Sequence, residues 1–126
     1  MNLNLVITVK ENLVREKSYR FALQIIELYK VLLKKNEFVM SKQLLKSGTS
    51  IGANIEEALA GQSRADFLSK ISISSKEARE TQYWLRLLRD SGTVDYEQIS
   101  PILAEAENLI NILSSIVKTT ASKKQL

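Results

Sequence analysis

Apolar residues recur at alternating spacings of three and four positions along most of the chain, as in helices that pack nearly parallel or antiparallel. Four segments carry this pattern, and we predict helices over about 11–35, 39–60, 63–90 and 95–118. Four helices joined by short loops predict an all-α, antiparallel, up-down-up-down four-helix bundle. The positions predicted to face the core are Val14, Ser18, Phe21, Ile25, Leu28 and Leu32 in the first helix; Leu44, Gly48, Ile51, Ile55 and Ala58 in the second; Phe67, Ile71, Ser74, Ala78, Thr81, Leu85 and Leu88 in the third; and Ile99, Ile102, Ala106, Leu109, Leu113 and Ile116 in the fourth.

Signals at the helix ends divide the chain into an arm over 1–10, a bundle domain over 11–118 and a polar tail over 119–126. The arm alternates apolar and polar residues, which indicates an extended segment, with an irregular terminus as the alternative. Ser63 with Asp66 three residues later is a variant of the capping box and begins the third helix. Pro101 either follows Ser100 at the start of the fourth helix or kinks a longer helix.

The second helix contains an unusual run of small residues, Ser47-Gly48-Thr49-Ser50-Ile51-Gly52-Ala53-Asn54. Each glycine costs a helix interior about 1 kcal/mol relative to alanine, and close approach of another helix is the usual compensation. The third helix is also small around its midpoint, so we predict that Gly48 and Gly52 lie against it near Ser74, Ala78 or Thr81. The run matches a G-x-S-x-G nucleophile motif, but the chain has no histidine to serve as a base.

The composition narrows the classes of function. The chain has 126 residues and no cysteine or histidine, which excludes disulfides, thiolate metal sites and Cys–His or Ser–His catalysis. It has no recognisable signal peptide and no apolar run of membrane-spanning length, so we expect a cytoplasmic protein without a membrane partner. We expect no enzymatic activity.

Charge is unevenly distributed along the chain. The net charge is +4; residues 1–50 carry nine basic and four acidic side chains, and residues 95–117 carry four acidic and no basic ones. This asymmetry suits RNA or DNA as a partner, or basic and acidic faces that meet within an oligomer. The candidate phosphate contacts are Lys17, Arg20, Lys76, Arg79, Arg86 and Arg89; the alternative is a solvated surface with local ion pairs.

Polar residues on the second and third helices form a second cluster that could be a functional site. Carboxylates on facing helices occur in di-metal bundles, but those sites also use histidines, so we predict no metal and no cofactor. The alternative is a hydrogen-bonded network that fixes helix register. It would bury Asn54, Glu80 and Thr81.

Three spaced blocks resemble a known bacterial family. They are Ser47 to Ala58, then Gln62-Ser63-Arg64-Ala65-Asp66-Phe67, then Lys76-Glu77-Ala78-Arg79-Glu80-Thr81-Gln82-Tyr83-Trp84-Leu85. They resemble the "four helix bundle" family, which includes proteins encoded in intervening sequences of large-subunit ribosomal RNA genes. Relatives of the accessory variability protein of diversity-generating retroelements also belong to it. Its structural signature maps here onto Gly48, Ser50, Gly52, Asn54, Glu57, Glu80, Thr81 and Trp84.

The resemblance implies an antiparallel four-helix bundle that assembles into a ring, typically a homo-pentamer. In the retroelement branch the ring binds nucleic acid and a reverse transcriptase, and the family offers no catalytic residues. We therefore expect a non-enzymatic, oligomeric nucleic-acid-binding or scaffolding module. The alternative is a protein-binding adaptor without affinity for nucleic acid.

Overall fold

The computed structural model describes the backbone of residues 8–124 and the side chains through Ser122, and this part of the chain forms four long helices. They are α1 (Val9–Lys34), α2 (Met40–Leu59), α3 (Arg64–Asp90) and α4 (Tyr96–Lys124). Each helix packs against the next in sequence, and α4 returns to pack against α1. Since the connecting loops have only four or five residues, successive helices run antiparallel. The predicted all-α four-helix bundle is confirmed.

Local sequence signals explain where the helices begin and end. Thr8 caps α1 in a full capping box: its hydroxyl accepts from the Glu11 amide, and the Glu11 carboxylate accepts from the Thr8 amide. At the other end of α1, Asn36 takes a left-handed conformation with φ of 61°, and the Asn36 and Glu37 amides close a Schellman motif. Gly92, with φ of 75°, ends α3 in the same way.

The core follows the predicted spacing closely. Every position predicted to face the core is buried except Phe67, which is half-buried at the start of α3. The structure adds buried residues that the spacing did not include: Ser41, Ser47, Val94, Ile110 and Thr120. The recurrence of apolar residues every three or four positions therefore identified most of the apolar interior.

The two glycines of α2 face α1, so the prediction that they lie against α3 is wrong. A Cβ atom at Gly48 would lie 2.8 Å from Cγ1 and 2.9 Å from Cγ2 of Ile25. A Cβ atom at Gly52 would lie 3.3 Å from the Ser18 hydroxyl oxygen. The small residues do allow close approach, but the helix they accommodate is α1.

Hydroxyl groups join α2 to α3 on the other side of α2. The Ser74 hydroxyl donates to the Ile51 carbonyl at 2.8 Å, and a 2.9 Å hydrogen bond joins Thr81 Oγ1 to Ser47 Oγ. All four residues are buried. The small, polar middle of α3 thus serves to hydrogen-bond α2, and most buried hydroxyls in proteins are satisfied in this way.

Two helix ends differ from the sequence-based expectation. We predicted the start of the first helix at Glu11, but α1 already begins at Val9, because Thr8 supplies the cap. The predicted arm otherwise lies outside the described residues. The tail expected from Thr119 is helical through Lys124 and buries Thr120, and Pro101 lies inside α4.

Candidate nucleic-acid interface

The α4 face is the outward surface of α4 together with the cations that flank it on α1 and α3. Its centre consists of short or small side chains at helical spacing, with one exposed carboxylate and one exposed lysine: Ala104, Glu107, Asn108, Asn111, Ser114, Ser115 and Lys118. Since α4 packs between α1 and α3, cations from both neighbours border this surface. No large apolar side chain interrupts it.

Cations of α1 border one side of the α4 face. The Lys10 ammonium donates to Ser115 Oγ at 2.7 Å, and Lys17 forms a 3.2 Å ion pair with Glu105. Both partners of that pair are about one-third exposed. Arg20 is exposed and borders a surface cavity together with Arg15 and with Glu56 of α2, so it does not border α4. Because Glu105 pairs with Lys17, its charge is offset within the protein.

Cations of α3 border the other side. Arg79 donates through Nη2 to Ser114 Oγ at 3.1 Å, so its acceptor is a neutral hydroxyl rather than a carboxylate. Arg86 lies seven residues further along the same side of α3 and is exposed. Neither arginine forms an ion pair with a described side chain. These cations remain available to an anionic partner.

Lys76 and Arg89, like Arg20, lie away from the α4 face. Lys76 is exposed on the outward side of α3. Arg89 lies at the end of α3 and pairs with Asp90, Nε to Oδ1, at 2.7 Å. This hydrogen bond raises the pKa of Arg89 and lowers the pKa of Asp90, and the charge of Arg86 lowers the latter further. The structure therefore brings three of the candidates, Lys17, Arg79 and Arg86, around one helix.

Three further carboxylates lie on another side of the bundle, along the second half of α2 and the adjoining side of α3. Glu56 pairs with Arg15 at 3.2 Å and Glu57 with Lys70 at 2.9 Å, while Glu80 is exposed. Carboxylates therefore lie on both sides of the bundle, since α4 itself carries Glu97, Glu105 and Glu107. Sequence reasoning noted the unequal charges but missed Lys10 and Lys118 as cations of the α4 face, which the alignment of α4 with its neighbours decides.

The predicted buried polar network is only partly present. Thr81 is buried and hydrogen-bonded as expected, but Glu80 is exposed and Asn54 only half-buried. Asn54 donates to the Ser50 carbonyl within its own helix, and Glu80 accepts from the indole N–H of Trp84 at 3.1 Å. Both residues are thus hydrogen-bonded as predicted, but the predicted burial of Glu80 is wrong and Asn54 is only partly buried.

Nothing among the described residues gathers three or more acidic side chains into a possible metal site. Over residues 8–124, none of the helices combines the length and the apolar character needed to cross a bilayer.

The comparisons with known proteins agree with this architecture. The family model described as 23S rRNA-intervening sequence protein matches residues 10–115. The chain belongs to this family. A crystal structure at 1.70 Å resolution, of a protein with unknown function from the S23 ribosomal protein family of Bacteroides thetaiotaomicron VPI-5482, is also similar. It is 50% identical over 87% of this chain and 99% of its own, with a TM-score of 0.85. Among curated proteins, none matches significantly.

Proposed function

We propose that this member of the 23S rRNA-intervening sequence protein family is a non-enzymatic module that binds nucleic acid through its α4 face. The observation that carries the proposal is the pair of cation rows on α1 and α3 that border the short, polar surface of α4. Phosphate contacts need cations without internal partners, and Lys10, Arg79, Arg86 and Lys118 pair with no described carboxylate. The protein is expected to have little sequence preference.

Self-association complements this proposal. The outward side of α1 exposes Tyr19 at 65% and Leu23 at 49%, and the following loop exposes Phe38 and Val39. We propose that these apolar residues join copies into a ring, of which the pentamer is the expected form. A ring would repeat the α4 face in every subunit and convert a few weak phosphate contacts into useful avidity.

Light scattering should report several times the 14.2 kDa chain mass, and the assembly formed by the Tyr19→Glu/Leu23→Glu variant should be smaller. A monomeric wild-type protein at micromolar concentration would contradict the ring.

Nucleic-acid binding is tested by fluorescence anisotropy with 20-nucleotide RNA and DNA probes, single-stranded and duplex. If each subunit neutralises about four phosphates, log affinity falls with log salt at a slope of roughly −3 to −4. Between 50 and 200 mM salt this slope lowers the affinity by roughly 100-fold. Charge reversal at Arg79 and Arg86 should weaken binding to all probes alike.

A matched control uses the same change of charge on another side of the bundle. Lys42 and Lys46 are exposed on α2, and their reversal to glutamate should change affinity far less than reversal at Arg79 and Arg86. Equal losses in the two variants would show that only net charge matters and would remove the role of the α4 face. Flat anisotropy of the wild-type protein at 50 mM salt would overturn nucleic-acid binding and favour the protein-binding adaptor.

A further inference from the structure

Tyr83 lies on the outward side of α3 among the cations of the proposed interface. Its side chain is 48% exposed. Arg79 precedes it by four residues and Arg86 follows it by three, so both lie next to it on the helix surface. Lys76, seven residues before it, lies two turns away on the same side. Two exposed arginines of the proposed interface thus flank an exposed aromatic ring, with Lys76 and Asp90 two turns away on either side and Glu80 three residues before it.

Neighbouring side chains hold this ring in place. The Tyr83 and Trp84 rings meet edge to face, with centroids 5.2 Å apart and planes at 65°. The Trp84 indole in turn donates to the Glu80 carboxylate. Glu80 precedes Tyr83 by three residues, and this bond engages its Oε2 atom. Tyr83 therefore presents a ring that contacts Trp84 on one side and has Arg79 and Arg86 as its nearest cations along the helix.

We infer that Tyr83 is a stacking platform for an unpaired base, which makes single-stranded nucleic acid the preferred ligand of the proposed interface. The inference rests on the proposed function. A single strand offers free base faces to an aromatic ring while its phosphates reach adjacent cations, whereas a duplex keeps its bases stacked internally. A ring already restrained by Trp84 loses little conformational freedom when a base stacks on it.

The test compares Tyr83→Leu with Tyr83→Phe, using an unstructured 20-nucleotide oligo(U) or oligo(dT) and a 20-base-pair duplex. Leucine keeps apolar area and helix propensity but has no aromatic face, so affinity for the single strand should fall about tenfold, within the range for loss of one stacked base. Affinity for the duplex should stay within about twofold. Phenylalanine should preserve affinity for both probes, and the salt slope should not change, because no phosphate contact is lost.

Trp84 supplies a direct readout, since it is the single tryptophan of the chain. Stacking on the adjacent Tyr83 should quench its fluorescence with the single strand and much less with the duplex. Unchanged single-strand affinity in Tyr83→Leu, while reversal at Arg79 and Arg86 still abolishes binding, would overturn the stacking role and leave the proposed function standing. Absence of wild-type binding to both probes would overturn the proposed function itself. A smaller assembly mass for Tyr83→Leu would instead make Tyr83 a contact between copies and refute the inference.

Discussion

Alanine substitutions at Gly48 and Gly52 should change stability in opposite directions, although both glycines lie in the same helix and face the same neighbour. At Gly48 the added methyl would lie within 3 Å of two carbons of Ile25. Ile25 is fully buried and β-branched, so its Cγ atoms cannot turn away without displacing the core. At Gly52 the closest atom is the Ser18 hydroxyl oxygen at 3.3 Å, which a shift of a few tenths of an ångström accommodates.

The magnitudes follow from two competing effects. Glycine to alanine in a helix interior gains about 1 kcal/mol of propensity. Overpacking a close-packed core costs about 1–3 kcal/mol. At Gly48 both effects operate, so the variant should lose up to about 2 kcal/mol of unfolding free energy. At Gly52 the propensity gain should dominate, giving an increase of up to about 1 kcal/mol.

The assay is thermal and urea unfolding followed by circular dichroism at one fixed protein concentration, since self-association would make stability depend on concentration. Each kcal/mol corresponds to a shift of roughly 3–5 °C in Tm for a chain of this size. Ile25→Ala in the Gly48→Ala background closes a double-mutant cycle. In the double variant the methyl group that Gly48→Ala adds fills part of the cavity that Ile25→Ala leaves. The double variant should therefore lose less free energy of unfolding than the sum of the losses in the two single variants. A Gly48→Ala protein as stable as Gly52→Ala would refute the close contact with Ile25.

Three further predictions concern individual polar groups. Thr81→Val should cost about 1 kcal/mol because it removes a buried hydrogen bond, whereas Ser41→Ala should be neutral or stabilising, since the buried Ser41 hydroxyl has no partner among the described residues. Urea unfolding distinguishes them, and equal losses would contradict the argument. Ser63→Ala should cost about 1 kcal/mol by removing the α3 cap, and Ser63→Asp should retain the cap; equal stability of the two variants would show that the cap contributes nothing. The hydrogen bond from Arg89 lowers the pKa of Asp90 in the folded protein. The pair therefore stabilises the fold at pH values above the pKa of Asp90 in the unfolded chain, and this stabilisation is lost as the pH falls through its pKa in the folded protein. NMR titration should find that pKa below the unfolded-chain value and closer to it in Arg89→Gln; an unchanged value in the variant would refute the pairing.

The periodic pattern determined the fold because the apolar residues of each helix lie in one narrow stripe. When four such stripes are buried together, few arrangements other than a bundle are possible. The same logic identified Val14 through Leu32 on α1 and the Ser63 cap of α3. Even the start of α1 was readable: the spacing of Thr8 and Glu11 is that of a capping box, which the prediction overlooked. These features depend on residues within a few positions of each other, where sequence and geometry are directly linked.

The sequence did not reveal which neighbouring helix contacts each edge of an apolar stripe. Gly48 and Gly52 face α1 rather than α3 because helix rotation about its own axis depends on all four helices together. The same rotation left Glu80 at a surface edge and brought Lys10 and Arg79 to opposite sides of α4. Residues far apart in sequence met only when the helices packed, so tertiary structure alone assembled the candidate interface.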